Sequence, residues 1–254
     1  FSMQKFIRHL AIVAGLGLAA CGGGQSDQSA TTTPTTPSSP MLRDQTTIPI
    51  GVALAVGSFE QASSIRYSPQ ASQLRNLAAH EFSSVVAENV MKPEFIHPQE
   101  DQYNWSDADY LVKFAKDNGM RIHGHTLVWY NALPSWMSNY TGDWDAMLAD
   151  HITTVVSHYS SDISSWDVVN EAFLDDGSAR SSIWSTHISD YIAKAYVLAH
   201  AADPDAELYY NDYSMALEGR RNGVVNMVKE LQRQGVKIDG IGMQGHIGMD
   251  YPSI

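Results

Sequence analysis

Residues able to do acid–base chemistry recur in one kind of place along this sequence: just after short apolar runs. The stretch Ser164–Phe173, SSWDVVNEAF, ends such a run on Asn170 and Glu171. Glu88 and Asn89 follow another, with Lys92 close behind. His123 to Trp129 close a third run, Asn211, Asp212 and Tyr213 follow a fifth, and Gln244 and His246 end a sixth. An acid so placed can protonate a departing oxygen while a second carboxylate attacks or stabilises the centre left behind, which is glycosidase chemistry. Asn170, next to the acid, suits a sugar hydroxyl, and Trp and Tyr side chains suit sugar faces. The competing chemistry is metal-assisted hydrolysis. His123 and His125 form a His-x-His pair, but such a site needs a further His and an Asp. His246 could supply the first, and no matching Asp is apparent. The expectation is therefore no metal and no cofactor.

These residues need elements that bring them together. Six strand-like segments fall at Ile50–Leu54, Ser84–Ala87, Arg121–Thr126, Ser165–Val169, Glu207–Tyr210 and Gly240–Gln244. Most gaps between them carry a helical period. Asp107–Asn118 has Tyr110, Leu111, Phe114 and Ala115 on one face, Ser106 as expected N-cap and Gly119 as stop. Met147–Tyr159, His187–Ala202 and Arg220–Gln234 read the same way, the last ending at Gly235. Strands alternating with helices require a parallel sheet with crossover helices. A (β/α)8 barrel and an open doubly wound sheet both fit. In the barrel all strand C-termini share one rim, and that rim carries the chemistry. No glycine-rich nucleotide-binding motif follows a strand. Alternation puts Asp167, Val169 and Glu171 on one strand face and His123 and His125 together on the preceding strand. An Asp167–His123 contact below the acid is expected from that register.

Composition narrows the ligand. The chain has 254 residues, with 16 Lys and Arg against 28 Asp and Glu, a net charge of -12. That field repels nucleic acid and leaves neutral sugars unaffected. Cys21 is the one cysteine, so no intrachain disulfide can form. Lys5 and Arg8 precede the apolar run Leu10–Ala20, a signal-type segment too short to span a bilayer. The LAAC ending on Cys21 resembles a bacterial lipobox, which implies lipidation of Cys21 and a cell-envelope location, as an outer-membrane lipoprotein or a secreted protein. Residues 1–21 are thus expected to be a signal peptide. Residues 22–47, rich in Gly, Ser, Thr and Pro, are expected to be a disordered linker. Residues 48–254 are expected to be the folded domain, tied to a membrane only through the lipid.

The motifs taken in order resemble glycoside hydrolase family 10, the endo-1,4-β-xylanases, from about Ile50 to the end. AENVMKPE is similar to that family's glycone-binding segment, implying that Glu88, Asn89 and Lys92 hold the sugars before the cleaved bond. HGHTLVW is similar to its third strand, with His125 and Trp129 lining the site. WDVVNEAF is similar to its acid/base signature, making Glu171 the proton donor and general base and Asn170 its sugar-orienting neighbour. LYYNDYS is similar to its fifth strand, implying that Tyr213 lies near the leaving-group side, and IDGIGMQGHI is similar to its sixth, implying that Gln244 and His246 face the catalytic carboxylates. The resemblance implies a (β/α)8 barrel, retaining hydrolysis of xylan and xylo-oligosaccharides without a cofactor, and a monomer when complete.

Two departures stand out. After Trp129 the family usually reads His, any residue, Gln, where this sequence has Tyr130, Asn131 and Ala132. The family's nucleophile, a Glu ending the seventh strand, has no counterpart among the eight residues after His246. Six units over residues 48–254 take roughly 35 residues each, so eight would need roughly 280. The expectation is about six of eight β/α units, a piece of a longer protein, with little activity alone. Another barrel β-glycanase, such as a cellulase, and a non-catalytic glycan-binding lipoprotein are the alternatives.

Overall fold

Along each strand, residues that prefer hydrocarbon alternate with small or polar ones, and the fold uses both sets. In the computed structural model, which describes residues 40–252, the strands are β1 (Gly51–Leu54), β2 (Ser84–Ala87), β3 (Arg121–Trp129), β4 (Ser165–Asn170), β5 (Glu207–Asp212) and β6 (Gly240–Met243). They form one sheet in sequence order, every neighbouring pair parallel. Val85, Ile122, Trp166, Val168, Leu208 and Tyr210 are buried on the face covered by helices. Ser84, Val86, His123, Ser165, Asp167, Tyr209 and Asn211 line a cleft on the opposite face. The period of two thus separates a packed side from a reactive side. Gly124 fits this design because a Cβ there would lie 2.1 Å from the Trp166 ring.

The crossovers are α1 (Ala71–Glu81), α2 (Pro93–Ile96), α3 (Ser106–Asp117), α4 (Ser135–Ser138), α5 (Trp144–His158), α6 (Ile183–His187), α7 (Tyr191–Ala202) and α8 (Glu218–Arg233). Helix α5 begins three residues ahead of the expected Met147 because Asp143 caps it, its Oδ1 accepting from the Ala146 N–H at 3.1 Å. The expected single helix from His187 is broken, since Asp190 adopts φ 53° between α6 and α7. Ser106 is the first residue of α3 rather than its cap, and its Oγ accepts from Arg66 Nη1 at 3.0 Å. Gly119 and Gly235, at φ 62° and 74°, follow α3 and α8 as the sequence indicates.

Ordered structure starts before the expected Ile48. Leu42–Asp44 form a 3-10 turn fastened to α1 by the Leu42 N–H to Glu81 Oε2 (2.9 Å) and Arg43 Nη1 to the Ala79 carbonyl (2.8 Å). The signal segment, Cys21 and the linker up to residue 39 lie outside the described residues.

Candidate active site

Five strand ends meet at a cleft of about 900 Å³. Its floor is built from β3 and β4. His123 Nε2 (3.1 Å) and His125 Nδ1 (2.8 Å) both reach Asp167 Oδ2, and His123 Nδ1 meets Ser165 Oγ at 2.8 Å. The expected Asp167–His123 contact is present, and His125 joins it. Burial opposes ionisation of Asp167, but hydrogen bonds from the two rings outweigh it and hold the carboxyl below its usual range. His125 spends Nδ1 on Asp167, which leaves Nε2 for a ligand.

Simple alternation fails above Asp167. The β3–β4 pairing jumps from His125↔Asp167 to Val128↔Val169, and β5 skips Val168 in the same way. This bulge moves Asn170, not Val169, into the cleft, which corrects the expectation that Asp167, Val169 and Glu171 share one face. Glu171 also enters the cleft because its backbone turns left-handed, at φ 58°. That conformation is uncommon for a side chain of this kind and costs about 1–2 kcal/mol. Contacts from neighbouring residues hold it. The Glu171 N–H donates to the Asn211 carbonyl at 2.9 Å, and Arg180 Nε donates to the Glu171 carbonyl at 2.9 Å.

Glu171 is 7% exposed. Trp129 Nε1 donates to its Oε2 at 3.0 Å, and Gln244 Nε2 donates to its Oε1 at 2.9 Å. Gln244 is held in that orientation by His246, whose Nε2 lies 3.0 Å from Gln244 Oε1. Trp129 is held by its own carbonyl, which accepts from Trp184 Nε1 at 2.7 Å. Asn170 Oδ1 accepts from Asn211 Nδ2 (2.9 Å) and Gln244 Nε2 (3.2 Å). Both lone pairs of that oxygen are therefore used, and Asn170 has its Nδ2 hydrogens left for a ligand.

The remaining expected residues divide. Lys92 lines the cleft, its Nζ 5.3 Å from the Trp129 ring centroid. Burial lowers its pKa, against the opposing pull of Glu88, Glu60 and Glu171. Glu88 lines the exposed rim. Asn89 stands one layer back and reaches the cleft only through Lys92, whose Nζ donates to its Oδ1 at 2.7 Å. Tyr213 is also outside the cleft lining. Its OH accepts from Arg180 Nη2 at 3.0 Å, and its ring lies under Arg220 at 4.0 Å. Tyr130, at the departure after Trp129, packs under the Arg180 guanidinium at 4.3 Å. Sequence reasoning missed Glu60, Arg180 and Asn211 as site residues. Asn211 was visible as a strand-end polar residue. Glu60 closes a single 3-10 turn, Ser58–Glu60, after β1, and Arg180 lies in the loop after β4, so neither carries a periodic signal.

Three other carboxylates line the cleft, of which Glu88 stands at its exposed rim. Asp167 serves the two histidines, and Glu207 opens β5 and pairs with Arg121 at 3.3 Å. The His-x-His pair is committed to Asp167, and among the described residues no group of three or more His, Cys, Asp or Glu is arranged to hold a metal ion.

Comparisons with known proteins agree with this geometry. A model of the family described as Glycosyl hydrolase family 10 matches residues 42–254. The chain is 52% identical over 181 residues to endo-1,4-beta-xylanase A of Xylanibacter ruminicola, covering 68% of this chain and 49% of that one. It is 45% identical over 195 residues to endo-1,4-beta-xylanase B of Thermotoga neapolitana, covering 73% and 56%. The chain thus spans about half the length of the curated relatives it matches. The crystal structure of native xylanase 10B from Thermotoga maritima superposes with a TM-score of 0.72 at 43% identity, over 78% of this chain and 60% of that one. Xylanase 10B from Thermotoga petrophila in complex with xylobiose gives 0.71 at 42%, over 80% and 62%. The six parallel strands are accordingly a curled part of a (β/α)8 barrel, and the doubly wound alternative is set aside.

Proposed function

This chain belongs to glycosyl hydrolase family 10, and from that premise we propose that its cleft serves retaining hydrolysis of β-1,4-xylosidic bonds in xylan and xylo-oligosaccharides. The observation that carries the reading is Glu171, buried at the end of β4 with an N–H donor on each carboxyl oxygen. Glu171 acts first as proton donor to the glycosidic oxygen and then as general base toward water. Trp129 and Gln244 point N–H groups at both oxygens, so they favour the carboxylate formed as the proton leaves. They stay in place for the second step, when that carboxylate must take a proton from water. Asn170 Nδ2 and His125 Nε2 are the free polar atoms beside it, and they hold sugar hydroxyls. Lys92 and the rim residue Glu88 bind the sugars on the glycone side, Lys92 being anchored by Asn89. Tyr213 acts on the leaving-group side through Arg180.

Retention needs a second carboxylate about 5–5.5 Å from the acid. With Asp167 and Glu207 committed elsewhere and Glu88 assigned to the glycone side at the exposed rim, we assign that group to chain outside the described residues, consistent with the half-length match to the relatives. The names of those relatives and the xylobiose complex favour xylan over cellulose.

Calorimetric titration of this polypeptide with xylotriose and with cellotriose tests the substrate. Tighter binding of xylotriose, weakened but still measurable in Lys92→Met, is the expected result. Equal or tighter binding of cellotriose would move the reading to another barrel β-glycanase. Binding should occur without sustained release of reducing sugar. Release that disappears in Glu171→Ala would mean that the second carboxylate is already present in these residues.

A further inference from the structure

We propose that Glu60 is a positioning residue for the sugar-binding side of the cleft, fixing Lys92 by setting which way the Asn89 amide faces. Glu60 lies in the loop after β1, outside every motif that carries the family likeness, and does not line the cleft. Its carboxylate is nonetheless fully engaged. Oε2 accepts the backbone N–H groups of Val56 and Gly57, both at 2.9 Å. Oε1 accepts Asn89 Nδ2 at 2.7 Å. Asn89 must then present Oδ1 on its other side, where Lys92 Nζ donates at 2.7 Å. Lys92 sits over Trp129, which in turn donates to Glu171. One unbroken line of contacts therefore runs from the β1 loop to the acid.

The polarity of this line has a single solution. An ammonium can only donate, so the Asn89 atom facing it must be oxygen. The Asn89 atom facing Glu60 is then nitrogen, and only an acceptor can stand opposite it. A carboxylate satisfies this with one oxygen while the other takes the two backbone N–H groups. A glutamine cannot do both. With its oxygen on the two backbone donors, its NH2 meets Asn89, and Asn89 must flip and turn its own NH2 on Lys92. The loop itself does not depend on this bond alone. Phe59 stacks on Phe95 of α2, centroids 4.3 Å apart and rings 7° from parallel, and pins the loop next to Lys92.

The binding consequence rests on the reading of the cleft given above, whereas the amide orientation does not, so the two are tested separately. Side-chain nuclear magnetic resonance of Asn89 and Lys92 is compared in the parent chain, Glu60→Gln and Asn89→Ala. The Lys92 Cε and Nζ resonances in Glu60→Gln should move to their positions in Asn89→Ala. Unchanged Lys92 resonances in Glu60→Gln would overturn the proposal. Titration with xylotriose forms the second arm. Glu60→Gln should weaken binding about tenfold, in line with loss of a charge-assisted hydrogen bond, and should add nothing in a Lys92→Met background. Additive losses would show that Glu60 acts other than through Lys92. If xylotriose fails to bind even the parent chain, the substrate assignment falls, while the resonance comparison still decides the role of Glu60.

Discussion

Two N–H donors converge on the Glu171 carboxylate, and each is fixed by a second contact. In a catalytically active form of the protein, Trp129→Phe should keep the ring packing and remove one donor. Loss of a single preorganised donor lowers kcat by roughly 10²-fold, with KM for xylan changed far less. A pure rise in KM would instead make Trp129 a binding platform only. At this scale the sequence was informative wherever chemistry sits at a strand end: Glu171, Asn170, His125, Trp129, Lys92 and Gln244 all line one cleft. Asn89 and Tyr213 stand behind it, because motif membership says which residues are near a site and not which atoms they have left to offer. Glu60 was illegible for the same reason, since its role lies in hydrogen-bond direction and not in spacing.

At the level of elements, the strand period and the glycine stops located the sheet and α3 closely, while α1 went unnoticed. Only Ala71 and Ala78 of α1 are buried, so its apolar stripe is too faint to see in sequence. The bulge that brings Asn170 inward was equally hidden, because a one-residue insertion leaves no compositional mark. Close packing makes Gly124→Ala costly. The added methyl would enter the Trp166 ring, and a loss of about 1–3 kcal/mol in urea unfolding is expected. Arg220 is a sharper case. It is buried, bonded to Asp212 Oδ1 and Asp175 Oδ1 at 2.6 Å each, and Asp212 in turn holds Tyr210 at 2.5 Å. Burial acts against its charge, but the bonds to Asp175 and Asp212 outweigh it and raise the guanidinium above its ordinary value. Arg220→Met strands Asp212 and should cost about 3–5 kcal/mol. Asp175→Ala, on a side chain 66% exposed, should cost about 1 kcal/mol or less.

Buried histidines couple β3 to α5 and to pH. His151 Nε2 meets the Leu127 carbonyl at 3.0 Å and so carries a proton, which makes its Nδ1 the acceptor from His97 Nδ1 at 3.1 Å. Burial pushes His97 down to about 4 and His151 down to about 3, the latter helped by His97 itself. Both lie below the unfolded value of about 6.5. Between these values the unfolded chain binds more protons, so stability is full above about pH 6.5 and falls as pH drops toward 4. Urea midpoints measured across that range should fall with acidification, and His97→Gln should flatten the slope. A slope unchanged in His97→Gln would contradict the pairing.

For the molecule as a whole, the described sheet has β1 and β6 as its edges, each paired on one side only. Apolar side chains at and beyond β6, Met243, Ile247 and Met249, are 73%, 77% and 104% exposed. Unpaired edges with apolar surface favour association. Light scattering on these 254 residues should give a mass that rises with concentration, and a concentration-independent monomer would count against it. The barrel class was legible at this scale because parallel β/α alternation and a shared polar rim constrain the topology so strongly. The central claim is that Glu171 delivers the proton to the departing oxygen. Its most direct test compares Glu171→Ala with its parent, in a catalytically active form, on aryl β-xylobiosides of differing leaving-group acidity. The account predicts a loss of roughly 10²–10⁴-fold for poor leaving groups and little loss in the bond-breaking step for dinitrophenolate, which needs no proton. An equal loss on every leaving group, or no loss on any, would contradict it.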